Sequence, residues 1–488
     1  MNPAVVSGLV LVAGLFVASV IGYGAGDGDL WWQRQLGEAV LRTHALPGTL
    51  GLATFSAPDA RWIPHEWIFA TLWALANRCG ADVVFRIGCA GLALLTLVVE
   101  ALRSRGAPSR ARMMMLVIVA IALTPSFGVR AQVLGWPLLA LVMLALEAGP
   151  RRAWFALPLA IVWYNLHASA LIVPGIVLVD GLGRALQGRR LAALISPLAL
   201  AAACAAASLA TPFGLALPRF VVAWSTNSAT GLIYEWLPAS PDKIFILAGV
   251  LILAALLVAG ELRGAPLSWP QRLLAVALFI ATMLHIRNLG LFCIVAGPWA
   301  ANALGVLLPR EAPGPARRWR ADGGLAAAAC AGAIALVVLR ARLPVAAGEA
   351  APAVRDVMAL HGQRRVACED FSWCSRFAGD PRVRVFLDGR TDAYPAAVFV
   401  DYRRILRGDA LDVFARWQID AAVVHAKGPL ARALRAAHWQ LLRSREPQVF
   451  LRPSRAGTAD KSEFERLGRV LTRHSRRSEF DQRVAQAG

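Results

Sequence analysis

The chain has 488 residues, 57% of them hydrophobic and 17% charged, with a mean hydropathy of +0.53 and a formal net charge of +20. That usage excludes a soluble domain of ordinary composition and points to a polytopic membrane protein. The charge is almost wholly arginine, since lysine occurs only at Lys243, Lys427 and Lys461; most of these arginines lie in short loops between apolar runs, which argues for orientation in a bilayer and against nucleic acid as a partner.

In chain order the apolar runs fall at 4–23, 82–102, 112–129, 131–148, 153–166, 168–183, 191–210, 243–261, 270–284, 288–308 and 322–340, about eleven spans. The first lacks a basic leader and a small-residue cleavage site, so it reads as a retained span. One set of loops, including Arg103, Arg151, Arg184, Arg263 and Arg317, is about one-third arginine, and the opposite set about one-tenth basic. The positive-inside rule then puts the N-terminus in the cytoplasm and the C-terminal part outside.

Expected is an α-helical membrane domain over residues 1–342 with a large first outer loop at 24–81, then a small extracytoplasmic α/β domain at 343–455 and a charged tail at 456–488. The first loop reads as a helix over Leu30 to Arg42, a turn-rich stretch with Pro47 and Pro58, and a second helix over Glu66 to Asn77. In the C-terminal part, strands are expected at Arg364 to Cys368, Val383 to Leu387, Ala421 to His425 and Val449 to Arg452. Cys368 and Cys374 can pair there if that part faces an oxidising compartment.

Three apolar hairpins are too long for one crossing and too short for two. They lie between Arg112 and Ala148, between Arg152 and Arg184, and between Arg272 and Pro309. A pass through hydrocarbon takes about 20 residues, so their turns should sit below the outer surface and line a wet pocket. Those turns carry Arg130, then Asn165 and His167, then His285 and Arg287.

Several of these polar groups can carry chemistry. Asp27 and Asp29 follow the first span; they can act as general base or share a divalent cation, or Asp29 can simply start the helix that continues Leu30-Trp31-Trp32. Trp31 and Trp32 suit stacking on a sugar or an interfacial belt. His65 and Glu66 can position a hydroxyl or complete a metal site, and equally fit a helix start. Arg130 and Arg287 can clamp a lipid-borne phosphate, Asn165 and His167 can hydrogen-bond a substrate or the hairpin backbone, and Glu235 is a second acid/base candidate. D-G-R-T-D, Asp388 to Asp392, follows a strand as ligand loops often do, and an Asp-Gly turn explains it equally.

Taken together, D-G-D-L-W-W (Asp27 to Trp32), His65 to Trp67, Arg130 to Gln132, Trp163 to His167, Thr211 to Gly214, Glu235 with Trp236, Arg287 with Asn288, and Asp388 to Asp392 resemble, in order and spacing, a bacterial group of GT-C-class glycosyltransferase-like membrane proteins. The sequence departs from that pattern at Gln33 (His expected), Ala131 (Pro), Thr211 (Asn) and near Leu50, where an acidic residue is missing. The resemblance implies an inverting transferase of the bacterial inner membrane using a polyprenyl-phosphate sugar lipid. It implies a base or metal ligand at Asp27 or Asp29, Mg or Mn as the possible divalent metal, and partners in envelope-glycan assembly. Two other readings remain open: a non-catalytic scaffold for such assembly, working through Asp388, Arg390 and Asp392, and a lipid or solute transporter, which the one-sided polar residues disfavour.

Overall fold

The computed structural model describes residues 3–21, 28–309 and 351–453 apart from His361 and Ala378. Fourteen helices run through the first two of these segments: α1 Pro3–Ile21, α2 Asp29–Thr43, α3 Trp67–Arg78, α4 Asp82–Arg103, α5 Ser109–Leu123, α6 Ala131–Glu147, α7 Pro150–Ala153, α8 Ala156–Leu166, α9 Ile172–Gly188, α10 Ile195–Ala206, α11 Ala216–Ser225, α12 Ile244–Leu262, α13 Trp269–Leu284 and α14 Leu289–Leu307. Asp27, the run at 322–340 and the tail at 456–488 lie outside the described residues.

Among the described residues five helices are long and apolar enough to cross a membrane: Asp82–Arg103, Ala168–Gly188, Leu191–Leu209, Pro241–Leu262 and Ile286–Leu307. The count of about eleven is therefore not reproduced. Other runs read as spans form shorter helices, Val5–Val20, Ala131–Glu147 and Trp269–Leu284. The shortest, α8, has 11 residues, about 16 Å against a hydrocarbon core of about 30 Å. Of these, α6 is largely buried by its neighbours, whereas α8 and α13 keep exposed apolar residues such as Val162 and Val276.

The bundle centres on α14, buried along most of its length. Pro298 within it has no N–H to give the carbonyl of Ile294, and that carbonyl instead accepts from Arg103 Nη1 at 2.6 Å. Arg103 also donates to the carbonyl of Val295 at 3.0 Å and is flanked by Glu100 and Glu147, so a charge inside the bundle is paired on each side.

The C-terminal part forms a five-stranded sheet in the order β2-β1-β3-β5-β4, with β1 Arg364–Cys368, β2 Val383–Val385, β3 Ala421–Val424, β4 Gln440–Arg443 and β5 Gln448–Leu451. β1 runs parallel to β2 and β3, while β5 is antiparallel to β3 and β4. Every residue of the central β3 is buried. Four of the strands lie where the sequence put them; β4, half exposed and without alternation, was not anticipated. Cys368 and Cys374 are joined by a disulfide.

The first loop closes this sheet. Thr54 makes a parallel bridge to Val385 at the free edge of β2, Val385 N donates to the carbonyl of Ala53 at 2.9 Å, and Phe55 N donates to the carbonyl of Val385 at 3.1 Å. An otherwise open edge is thereby paired. Trp32, Leu36, Leu50 and Trp62 of the loop share one hydrophobic core with Phe386, Phe399 and Phe414. Within the loop, α2 and α3 touch at Gly37, where a Cβ would fall 2.0 Å from the carbonyl oxygen of Ala70; only glycine allows that approach.

Candidate active site at the hairpin turns

Pro64, His65 and Glu66 lead into α3, and Glu66 is its N-cap, where the helix dipole favours a carboxylate. Its Oε2 accepts from Gln33 Nε2 of α2 at 2.5 Å, and its Oε1 lies 3.3 Å from His167 Nε2. The imidazole of His167 is oriented from its other side: the Ser169 backbone N–H donates to Nδ1 at 3.0 Å. With Nδ1 accepting, a neutral His167 carries its proton on Nε2 and donates it to Glu66. Burial alone would raise the Glu66 carboxyl, but the His167 hydrogen bond, the nearby imidazoles and Gln33 outweigh it and hold the group at about 2.

His65 faces the C-terminal domain. Its Nε2 is 3.6 Å from Asp392 Oδ2, its ring meets His167 edge-on at 5.4 Å, and its Nδ1 is buried without a hydrogen-bond partner among the described residues. Burial works to lower its pKa; Asp392 and the charge of Glu66 reverse this and leave it raised.

A second group lies alongside. Glu235 and Trp236 sit on a single 3-10 turn, Tyr234–Trp236, that packs on the turn Ile286–Asn288 through Ile286 N to the carbonyl of Leu237 (3.0 Å) and His285 Nδ1 to the carbonyl of Trp236 (2.6 Å). Arg130, at the N-cap of α6, is ion-paired to Glu235. The Arg287 guanidinium lies over the Trp236 ring, 4.2 Å from its centroid, and feels the charges of both Glu235 and Glu66. Its N–H groups donate to no described residue. Arg287 therefore links the two groups, and turns from three hairpins and two longer loops converge on one polar cluster.

Other expected residues take structural positions. Asn165 Nδ2 donates to the carbonyls of Ile161 and Ala210, both at 3.0 Å, closing the end of α8. Asp29 opens α2, accepts from Trp32 Nε1 at 2.9 Å and lies under Gly389, whose N–H donates to Ser375 Oγ at 2.8 Å. Trp32 is buried edge-on against Trp62 at 5.7 Å, and Trp31 lies under the Arg376 guanidinium at 5.6 Å. Sequence reasoning missed Gln33 as the second donor to Glu66 and Asp392 as the partner of His65. Gln33 carries a signal in hindsight, being the position where the motif expects another hydrogen-bonding residue.

Ligand atoms of His65, Glu66 and His167 lie within 4.8 Å of one another, near enough to surround a cation. Their donor chemistry does not fit Mg or Mn. Such ions take oxygen ligands, whereas this trio offers one carboxylate, already accepting two hydrogen bonds, and His167 turns an N–H, not a lone pair, toward the centre. Asp29, expected as a metal ligand, spends one oxygen on Trp32.

No family model and no curated protein matches the chain. Solved structures do. The archaeal oligosaccharyltransferase AglB from Archaeoglobus fulgidus, in complex with an inhibitory peptide and a dolichol-phosphate, superposes with a TM-score of 0.51 at 12% identity, over 92% of this chain and 74% of that one. The Archaeoglobus fulgidus oligosaccharyltransferase tethered with an acceptor peptide gives 0.50 at 13% identity, over 85% and 68%. The fold is of the GT-C type. With its apolar helices, this makes the chain a multi-pass membrane protein.

Proposed function

We propose that the chain transfers a sugar, with inversion, from a polyprenyl-phosphate donor to an extracytoplasmic acceptor at a bacterial inner membrane. The observation that carries this reading is Arg287: a half-buried guanidinium, stacked on Trp236, whose donors are unspent among the described residues. Five N–H groups in a fixed fork match a phosphate bidentately, and a ring face holds the plane while the edge stays available. Arg130 can join it by leaving Glu235 when a stronger anion arrives. That AglB was captured with a dolichol-phosphate is consistent with a lipid-borne donor.

In the reaction the acceptor oxygen bonds to the anomeric carbon while the bond from that carbon to the phosphate oxygen breaks. The electron pair stays on the phosphate, where Arg287 and Arg130 stabilise the growing charge. The acceptor proton goes to a base. Asp27 or Asp29 is the candidate by resemblance, and His65 is the candidate by geometry, with Nδ1 unpartnered among the described residues and Nε2 facing Asp392, an arrangement that orients the ring and stabilises the imidazolium.

Purified protein in lipid discs, titrated with a polyprenyl phosphate, tests the reading. Binding weakened roughly 10- to 100-fold in Arg287→Gln and less in Arg287→Lys supports it. A wild-type protein that binds no polyprenyl phosphate, combined with unchanged surface glycans in cells carrying Arg287→Gln, would favour the scaffold reading instead.

A further inference from the structure

Beside the cluster, the outer face of α2 forms one wall of a cavity of about 750 Å³. The opposite wall is the strap 47–53 together with Gly379 and Arg390 of the C-terminal domain. Volumes of this size suit a small-molecule or oligomeric ligand. Trp31, Arg34, Gln35, Glu38 and Arg42 recur at helical spacing and line the cavity from one side. From Trp31 to Arg42 the wall runs about 16 Å at 1.5 Å per residue, longer than a single sugar.

The charges on this wall are unequal. Glu38 is neutralised by Arg78, with Nε to Oε2 at 2.7 Å, and Arg390 is held by Asp388, donating also to the carbonyl of Leu50 at 2.8 Å. Arg34 and Arg42 are exposed and make no hydrogen bond or ion pair with any described residue. An indole, a side-chain amide and two unspent guanidiniums about 12 Å apart along one helix face therefore front the cavity. Indole faces stack on apolar sugar faces, the amide and guanidiniums bond hydroxyls, and the guanidiniums additionally pair with oxyanions. The ligand class with all three features is an oligosaccharide bearing acidic groups.

We propose that this cavity is a binding subsite for an anionic glycan, its carboxylates paired with Arg34 and Arg42 and one ring against Trp31. Calling that glycan the acceptor rests on the glycosyl-transfer reading; the binding itself does not.

The test is calorimetric titration of the full chain in lipid discs with trigalacturonate, maltotriose, monomeric galacturonate and inorganic phosphate, alongside the polyprenyl-phosphate titration. Expected is saturable trigalacturonate binding that weakens at least tenfold in the double variant Arg34→Gln, Arg42→Gln and in 0.5 M salt, with maltotriose, monomer and phosphate at least tenfold weaker than the trimer. Both arginines are exposed, and unchanged polyprenyl-phosphate binding by the double variant verifies its fold. Maltotriose binding equally well overturns the anionic assignment, and monomer or phosphate binding equally well reduces the cavity to a simple anion site. Polyprenyl-phosphate binding without trigalacturonate binding overturns this proposal and spares the transferase reading; the reverse pattern spares the glycan subsite and removes the transferase.

Discussion

Asp392 Oδ2 lies 3.6 Å from His65 Nε2, so a carboxylate of the C-terminal domain faces an imidazole of the first loop across the edge of the candidate site. The domain thus contributes a carboxylate to the candidate site. If His65 is the base, Asp392→Asn should lower kcat by about 10²-fold while leaving donor KM near wild type, because proton transfer and not phosphate binding is impaired. Removing the negative charge also lowers the His65 pKa, so the acid limb of the rate profile should move to lower pH. A kcat and pH profile that ignore this change would leave Asp27 or Asp29 as the base.

Arg287 can be weighed directly. A charge-assisted bidentate contact to phosphate is worth about 1.5–3 kcal/mol, so Arg287→Gln should weaken polyprenyl-phosphate binding by roughly 10- to 100-fold. Arg287→Lys keeps the charge, loses the fork and should fall in between. Equilibrium binding of the lipid measures both.

Stability should depend on pH in two opposed ways. Glu66 is held at about 2 against an ordinary 4.5, so its contribution is present above about 4.5 and is lost as pH falls through about 2. His65 is raised above 6.5, so its contribution is complete below 6.5 and is lost as pH rises through its folded value. Between about 4.5 and 6.5 both are present. Thermal melting across pH should show that plateau; Glu66→Gln should flatten the acid side, and Asp392→Asn the alkaline side.

Gly389 fixes how closely the C-terminal domain sits on α2. A Cβ there would lie 2.2 Å from Asp29 Oδ1 and 2.9 Å from Trp32 Nε1. Gly389→Ala should cost about 1–3 kcal/mol by forcing the two surfaces apart, and proteolysis within the 47–62 segment should accelerate. Unchanged melting and digestion would show that this contact adjusts freely.

Orientation has its own readout. A buried disulfide between Cys368 and Cys374 persists in an oxidising compartment. Mass spectrometry of protein alkylated in cells should find that pair oxidised, and the small loop it closes predicts about 2 kcal/mol lost in Cys368→Ser. Alkylated thiols at both positions would place this domain in the cytoplasm.

Local pattern made much of this architecture legible. Apolar periodicity and Pro64 located α2 and α3 to within a residue at most boundaries, and β-rich runs located four strands, because those signals act over a few neighbours. Span counting is not confirmed among the described residues, because hydropathy reports composition and not helix length, as in the 11 residues of α8. His65, Glu66, His167, Arg130, Glu235 and Arg287 could be nominated one at a time from residue type and position. Their pairing could not, since Arg130 meets Glu235 and His65 meets Asp392 only through tertiary closure. Gln33 and Asp392 each lay in a motif, but nothing local assigned Gln33 to Glu66 or Asp392 to His65.

The edge pairing of Thr54 with Val385 joins positions 331 residues apart, which constrains biogenesis. During synthesis the first loop emerges early, with Trp32, Leu50 and Trp62 lacking the aromatic partners they will eventually pack against, and it must wait for nearly the entire polypeptide to be inserted. Until then the segment around Thr54 has no strand to join. Ribosome-stalled chains ending before residue 351 should accordingly expose this loop to protease and to holdase chaperones, and release of the completed chain should remove both.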